Sequence, residues 1–589
     1  MFAIGKQFKN NEEQVVNTCI KTRITAVLLF LVISITYYNL PTTQTTDSLY
    51  SILLTETIIN DKKIDLGEHF DTTSNSEIEI PYQIEKINNK ENYYFPHGSS
   101  FLSAPFVYII NKSGLRSIQD DSYSIDNEIK IQKILSTGLT AATVAIIFLT
   151  FRIFSNHTIS LLLTIIFAFA TPLVSTLSRG LWAHTWLVLL LSIVVFIVLR
   201  NIQKKSLPNP YILATLASWM YFVRPTSSIS IIAISIICLF YFKKIVLKYC
   251  LSGAMWLLVF IAYSHYNFET LLPSYYLASR LGNEQFLIAI FGNLFSPSRG
   301  LFIYSSFIIP VLYLATKQID INKYNTFIAV SLATLFFHLI VISSFPHWWG
   351  GHSYGPRFMS DILPWIVAIT ALSIYSAKEI NKYILSIFIL TSALSIFLNT
   401  WGAYNPKTAE WNITPTNIDS DTKRLWSWKH SAFLVGITQP AIDKNFITIK
   451  NGINHIAFKE KQEDAFIIDG WSLSEKNFRW TDAKNSRIGF NINEISPISI
   501  SIKFEPFIAS KKSIQIVKFY INNKYFAEHK FNSPGIKNIR LEIPERYLKK
   551  KNIITIKTPN ATSPASYNIS EDKRILGIAV YNIDLEKEN

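Results

Sequence analysis

Residues 24–40, ITAVLLFLVISITYYNL, carry no charged side chain and follow Lys21 and Arg23. Crossing about 30 Å of hydrocarbon takes roughly 20 apolar residues in a helix, and basic residues ahead of such a run mark its cytoplasmic side. The run ends in aromatics and Asn, with no small-residue cleavage site. It predicts an uncleaved signal anchor rather than a removed signal peptide.

Outward from this stretch the same pattern repeats. Residues 134–151, 158–177, 182–199, 209–222, 226–242, 249–265, 301–316, 324–344, 360–376 and 382–400 are further apolar runs. With the first they predict a multi-span α-helical membrane protein of about eleven spans. The 589 residues are 49% hydrophobic and only 16% charged, against about 25% charged in soluble domains. The formal net charge of +15 does not point to nucleic acid here. In a multi-span chain it is topology signal and contact with anionic lipid. The three cysteines, Cys19, Cys238 and Cys250, lie in or beside spans, so no disulfide framework is implied.

With the N-terminus inside, the inside connections carry Arg200, Lys204 and Lys205; Lys243, Lys244 and Lys248; Lys317 and Lys323; and Lys378 and Lys382. Every one is basic, as the positive-inside rule requires. After the second span the outside connections are poor in lysine but present arginines: Arg179, Arg224, Arg280, Arg299 and Arg357. An arginine near the membrane core costs about 2.5 kcal/mol or more. Each alone is explained by snorkelling to headgroups or by pairing with an outside carboxylate. As a set, their planar forks suit phosphate oxygens and point to an outside-facing site for an anionic lipid.

Residues 1–23 form a cytoplasmic tail, 24–400 the membrane domain, 401–460 a Trp-rich connection and 461–589 a separate extracytoplasmic unit. The outside loop 41–131 is too long for a plain connection. It carries helical patterns at 45–60 and 95–114, and FLIAIFGNLF in the loop 266–300 is a third candidate interfacial helix. In the C-terminal unit Ile498, Ile500, Ile502 and Phe504 alternate, and SIQIVKFYINNKYFAEHKF reads as two strands around Asn522-Asn523. Close-spaced short strands of this kind predict an all-β sandwich.

Among the few acidic residues near the outside ends, Asp47 follows the first span, and Asp361 opens a span just after Arg357. Asp47 has two readings: an N-cap for a helix starting at Ser48, or a base or metal ligand for chemistry at the outer surface. The stretch HWWGGHSYGPRF, 347–358, adds His347, Trp348, His352 and Tyr354 as candidate substrate contacts. For its tryptophans the aromatic belt is the competing reading. His184 begins a span, where capping or packing competes with a substrate contact.

The pieces TTDSLYSILLTETIINDKKIDL, YYFPHGSSFLSAPF, SRGLWAHTW, FVRPTS, LFSPSRGLFIYSS and WWGGHSYGPRFMSDILP lie within residues 1–400. Together they resemble the GT-C glycosyltransferases that use polyprenyl-phosphate sugars. The nearest look is to bacterial relatives of dolichyl-phosphate-mannose protein mannosyltransferases and of the lipid A aminoarabinose transferase. The resemblance implies an essential Asp in the first outside loop, where Asp47 stands. It also implies recurrent arginines at Arg224, Arg299 and Arg357 and a recurrent His at His184. A paired second acid is not apparent, so a divalent metal is compatible but not required. The C-terminal segment looks like carbohydrate-binding jelly rolls.

The implied activity is inverting transfer of a sugar from a polyprenyl (undecaprenyl) phosphate donor to a glycan, lipid or protein acceptor, on the outer face of a bacterial inner membrane. Asp47 would be the base and the arginines would hold the phosphate. A flippase or transporter, or a ligase, for anionic lipid-linked glycans is the alternative.

Overall fold

A computed structural model describes residues 2–587 except 70–80, 120–121, 318–323, 377–378, 380, 414–416, 438–445, 459–465, 476, 511–512, 568, 571 and 573. Lys323 and Lys378, two of the topology lysines, lie outside the described residues. The chain divides into two units, Met1–Asn412 with Asp421–Gln439, and Ile413–Ser420 with Pro440–Asn589.

The first unit is helical. Each of the eleven apolar runs forms helix, and among the described residues seven helices are long and apolar enough to cross a membrane. The runs at 158–177, 209–222, 226–242 and 301–316 give the shorter helices His157–Phe169, Pro210–Val223, Pro225–Tyr241 and Ile308–Lys317. Breakers explain the shortness: Pro172 precedes a single π-turn at Leu173–Leu177, and Pro225 follows the extended Arg224.

Burial separates centre from rim. The apolar windows of Ile125–Phe154, Ala183–Lys204 and Phe358–Ser376 are 67%, 72% and 83% buried, against 17–22% for Cys19–Asn39, Lys243–Phe268 and Lys382–Tyr404. The first three are therefore the protein-facing centre, and the others turn most of their apolar surface outward, as lipid contact allows.

The 41–131 connection has structure of its own. It holds the helices Ser51–Asn60 and Gly98–Lys112 and the hairpin Ile84–Ile87 with Lys90–Tyr93. Asn88 and Asn89, both at positive φ (52° and 61°), make the tight turn of that hairpin, the backbone twist that two-residue loops favour. FLIAIFGNLF is helical over Phe286–Phe295.

The second unit is a β-sandwich of two antiparallel sheets. Ile498–Pro506 pairs with Leu576–Lys587 in one, and Gln515–Ile521 pairs with Lys551–Lys557 in the other. Ile498, Ile500, Ile502 and Phe504 are all buried against Val517, Phe519 and Ile521 in one core, as alternation requires. Asn522 and Asn523 form the turn at φ 50° and 66°. Strand Gly452–Ala457 also joins the first sheet through Leu576–Lys587, so the sandwich draws in chain that the sequence pattern leaves in the 401–460 connection.

Candidate active site where helix ends meet

Asp47 lies in the turn between the first helix, Phe2–Asn39, and Ser51–Asn60. Its backbone is fixed from several sides. Tyr93 Oη donates to the Asp47 carbonyl at 2.6 Å, Gln83 Nε2 to Thr46 O at 3.0 Å, and Gln132 Nε2 to Ser48 O at 2.7 Å. The helix begins at Ser51 behind Tyr50, which sits at φ 70° with no side-chain cap. Asp47 therefore does not cap it, and its carboxylate is committed elsewhere. Arg357 Nη1 lies 2.7 Å from Oδ2, and Tyr82 Oη donates to Oδ1 at 3.1 Å. Desolvation of its hydroxyl against Asp47, and the Asp47 charge, push the Tyr82 phenol up, so it remains a donor.

Arg357 is 6% exposed, stacked 4.2 Å over the Trp182 ring. Gly350, at φ 73°, brings its backbone so close that a Cβ there would stand 3.3 Å from Arg357 Nε, a fit that glycine permits. Phe358 offers its ring to both Arg357 at 5.2 Å and Arg224 at 5.4 Å. Arg224 in turn binds Asp361: Nε to Oδ2 is 2.8 Å, with Thr226 Oγ1 at 3.3 Å. The other oxygen of Asp361 meets His184 Nδ1 at 2.6 Å. Four helix ends thus supply a polar chain running Tyr82, Asp47, Arg357, Phe358, Arg224, Asp361, His184.

The remaining arginines divide. Arg179 donates to the carbonyls of Tyr37, Leu40 and Thr42, satisfying the open C-terminal end of the first helix. Arg299 is 2% exposed. It binds Trp349 O at 2.8 Å, Gly351 O at 3.0 Å and Asn412 Oδ1 at 2.7 Å, pinning the 347–357 loop. Neither lines a cavity described below. Arg280 is half-buried, stacked 3.8 Å over Tyr275, with Nη1 donating to the Tyr275 carbonyl at 3.0 Å.

In the 347–358 loop, Trp348 is buried, its ring packed onto Gly292, where a Cβ would meet it at 2.1 Å. His347 packs on Trp349 at 4.9 Å, and His352 is half-buried. Tyr354 is fully buried, its Oη donating to Leu398 O at 2.7 Å.

Two cavities share a wall made of Tyr93, Phe95, Pro96 and Tyr275. The smaller, about 30 Å³, is polar and lined also by Asp47, Ser48, Trp182, His184 and Arg224. That volume holds a water or two. The larger, about 220 Å³, is apolar, with Trp219, Phe222, Trp256, Val259 and Phe260 among its walls. Its polar wall residue His97 is fully satisfied: one ring nitrogen lies 2.8 Å from Tyr93 O and the other 2.6 Å from Tyr263 Oη. Burial holds this imidazole down at about 4, below the ordinary 6.5. The unfolded chain therefore binds the proton first. Stability is full above pH ~6.5 and falls by ~3 kcal/mol as the pH drops to about 4. Melting curves of the wild type and His97→Gln across that window should show a shallower slope in the variant.

A divalent ion needs several oxygen or nitrogen ligands. Among the described residues no three His, Cys, Asp or Glu side chains come together to hold one, and Asp47 and Asp361 each lie against an arginine. The residues present do not fit a protein-made metal cage.

Sequence reasoning noted Asp361 only as an acid opening a span. The signal was there, since an acid at a span end needs a partner, but its partners lie 137 and 177 positions away. Tyr82, Tyr93 and Tyr275 gave no signal.

No protein-family model and no curated protein matches the chain. Among solved structures, arabinosyltransferase EmbB from Mycobacterium smegmatis matches at TM-score 0.34 and 8% identity, over 95% of this chain and 64% of that one. A family 35 carbohydrate-binding module from Paenibacillus barcinonensis matches 23% of this chain and 94% of its own, at TM-score 0.13 and 16% identity. A second such module, from an environmental isolate, matches at TM-score 0.14 and 13% identity, over 23% of this chain and 88% of its own.

Proposed function

We propose that the chain is an inverting glycosyltransferase that moves a sugar from a polyprenyl-phosphate carrier to a glycan, lipid or protein acceptor. It works at the extracytoplasmic face of a bacterial inner membrane, with its N-terminus inside and the β-sandwich outside. The observation that carries this reading is the pairing of cavities. A polar pocket bearing Asp47 shares a wall with an apolar one whose aromatic lining suits a prenyl chain.

In this reading the chain of the donor occupies the apolar cavity, and the phosphate sits at the shared wall. Arg224 lines the polar cavity, and two wall residues carry further cations behind them: Arg357 on Asp47 and Arg280 flat on Tyr275. Asp47 takes the proton of the acceptor hydroxyl as its oxygen attacks the anomeric carbon, and the lipid phosphate leaves. Cations placed where charge develops lower the barrier, one donor being worth about 3–4 kcal/mol. Arg299 and Arg179 serve by holding the 347–357 loop and the end of the first helix in place. The polar pocket holds only water-sized groups as it stands, so sugar binding moves its wall.

Purified protein given undecaprenyl-phosphate-linked mannose and arabinose should transfer single sugars with inversion, read by mass spectrometry and NMR of the product. Transfer of preassembled blocks would identify a ligase. Transbilayer movement of the lipid without transfer would identify a flippase. Either result overturns the proposal.

A further inference from the structure

Two buried groups have no task in the transfer so far, and they belong to one another. His184 stands in the first turn of Ala183–Lys204 and is 2% exposed. Its Nδ1 is 2.6 Å from Asp361 Oδ1, while Asp361 Oδ2 is held by Arg224 at 2.8 Å. A carboxylate paired with a guanidinium is an acceptor only. Nδ1 therefore carries a proton, and in the neutral ring Nε2 keeps its lone pair. The ring lies nearly parallel to Phe358, at 27° and 6.0 Å between centroids, which fixes its plane. Nδ1 is turned to Asp361, which leaves Nε2 as the ring nitrogen open to other partners, and His184 and Asp47 line the same polar cavity.

The two acceptors differ in what a proton does to them. On Asp47 it would remove the charge that holds Arg357 at 2.7 Å. On His184 it would add a cation that Asp361 holds directly, in the company of the Arg224 and Arg357 guanidiniums. A cavity with room for a water or two connects them.

We propose that His184 is the second proton acceptor of this site. The proton that Asp47 removes from the attacking hydroxyl passes to His184 Nε2, and Asp361 holds the imidazolium. The inference rests on the glycosyl-transfer reading above. In the step, the acceptor O–H bond breaks and an O–C bond forms at the anomeric carbon. The C–O bond to phosphate breaks, its electron pair leaving on the phosphate oxygen. The proton ends on Nε2 and returns to water after the product leaves.

The groups that set the charge around the ring come from every neighbouring element. They are Asp361 and Arg357 beside Phe358, Arg224 with Thr226 at the break after Pro210–Val223, and Asp47, Tyr93 and Tyr275 across the cavity. His338, on Asn325–Ser343, is bound to the Phe358 carbonyl at 2.9 Å. Glu128, on Ile125–Phe154, is turned away to Ile52 N, Gln132 and Tyr123.

The test uses full-length protein in detergent, with whichever of undecaprenyl-phosphate mannose or arabinose the wild type accepts. Activity of the wild type should fall on the acid side as an imidazole titrates. His184→Gln should lower kcat about 100-fold with KM little changed, and its pH profile should lose that acid limb. A merely structural histidine would leave the shape of the profile unaltered. If the variant does not fold, ¹⁵N-histidine spectra of the wild type decide. The His184 resonance, assigned through its contact with the Phe358 ring, should be an Nδ1–H tautomer with bare Nε2, and an Nε2–H tautomer overturns the relay. Wild-type rate and pH profile in His184→Gln overturn it too. No transfer by the wild type from either donor overturns the glycosyl-transfer reading itself, whereas an active wild type separates the two failures.

Discussion

Asp361→Asn should destabilise the helical unit by about 3–5 kcal/mol, the cost of breaking a buried pair from one side. Asp361 is 4% exposed and Arg224 5% exposed, so neither charge has water to fall back on. Asparagine keeps the shape of the side chain, leaves no cavity and removes only the charge. Arg224 then remains a buried cation whose remaining opposite charge, Asp47, is already paired with Arg357. Melting in detergent measures the loss. The double variant Asp361→Asn with Arg224→Met should recover part of it, because the orphaned cation goes with the second change. Coupled neighbours of this kind do not add. An unchanged melting point in Asp361→Asn would mean that the pair contributes nothing to the fold.

What could be read from the sequence follows from the range of the signals. Apolar runs are local, so all eleven could be marked, and the alternation of Ile498, Ile500, Ile502 and Phe504 places that strand's inner face without knowledge of its partners. The two Asn-Asn hairpin turns differ: the one at 522–523 lies between clear strands, while that at 88–89 lies between strands of four residues each, too short to show a period. The arginines show a different limit. Arg299 and Arg280 both stand in Pro- and Gly-bearing outside loops, and nothing local tells them apart. Arg299 is enclosed because Trp349, Gly351 and Asn412, between 50 and 113 positions away, turn acceptors onto it. Arg280 meets aromatic faces instead, Tyr275, Tyr94 and Phe345, and so keeps most of its fork open. The dual reading of Asp47 is decided by one backbone angle, since Tyr50 in the left-handed region delays the helix to Ser51 and turns the carboxylate away from its amides.

Asp47→Asn should lower sugar transfer by about 10² to 10⁴ while the protein still folds and inserts. The two consequences separate because the carboxylate has two tasks. As a partner it receives the Tyr82 hydroxyl at 3.1 Å and Arg357 at 2.7 Å, and an asparagine oxygen can still accept from either. As a base it must take a proton, which an amide does not do at neutral pH. Asp47→Glu retains the base but pushes it into a cavity of about 30 Å³, so its activity should lie between those of the wild type and Asp47→Asn. The variants combine informatively with His184. If Asp47 and His184 handle the same proton in sequence, then once Asp47 is gone His184 has little left to receive. The double variant Asp47→Asn with His184→Gln should then be hardly slower than Asp47→Asn alone, the non-additivity expected of residues acting as one unit. Independent roles would instead multiply the two losses. Transfer by Asp47→Asn at the wild-type rate would remove Asp47 from the chemistry and leave His184, with Asp361 behind it, as the remaining proton acceptor on that cavity wall.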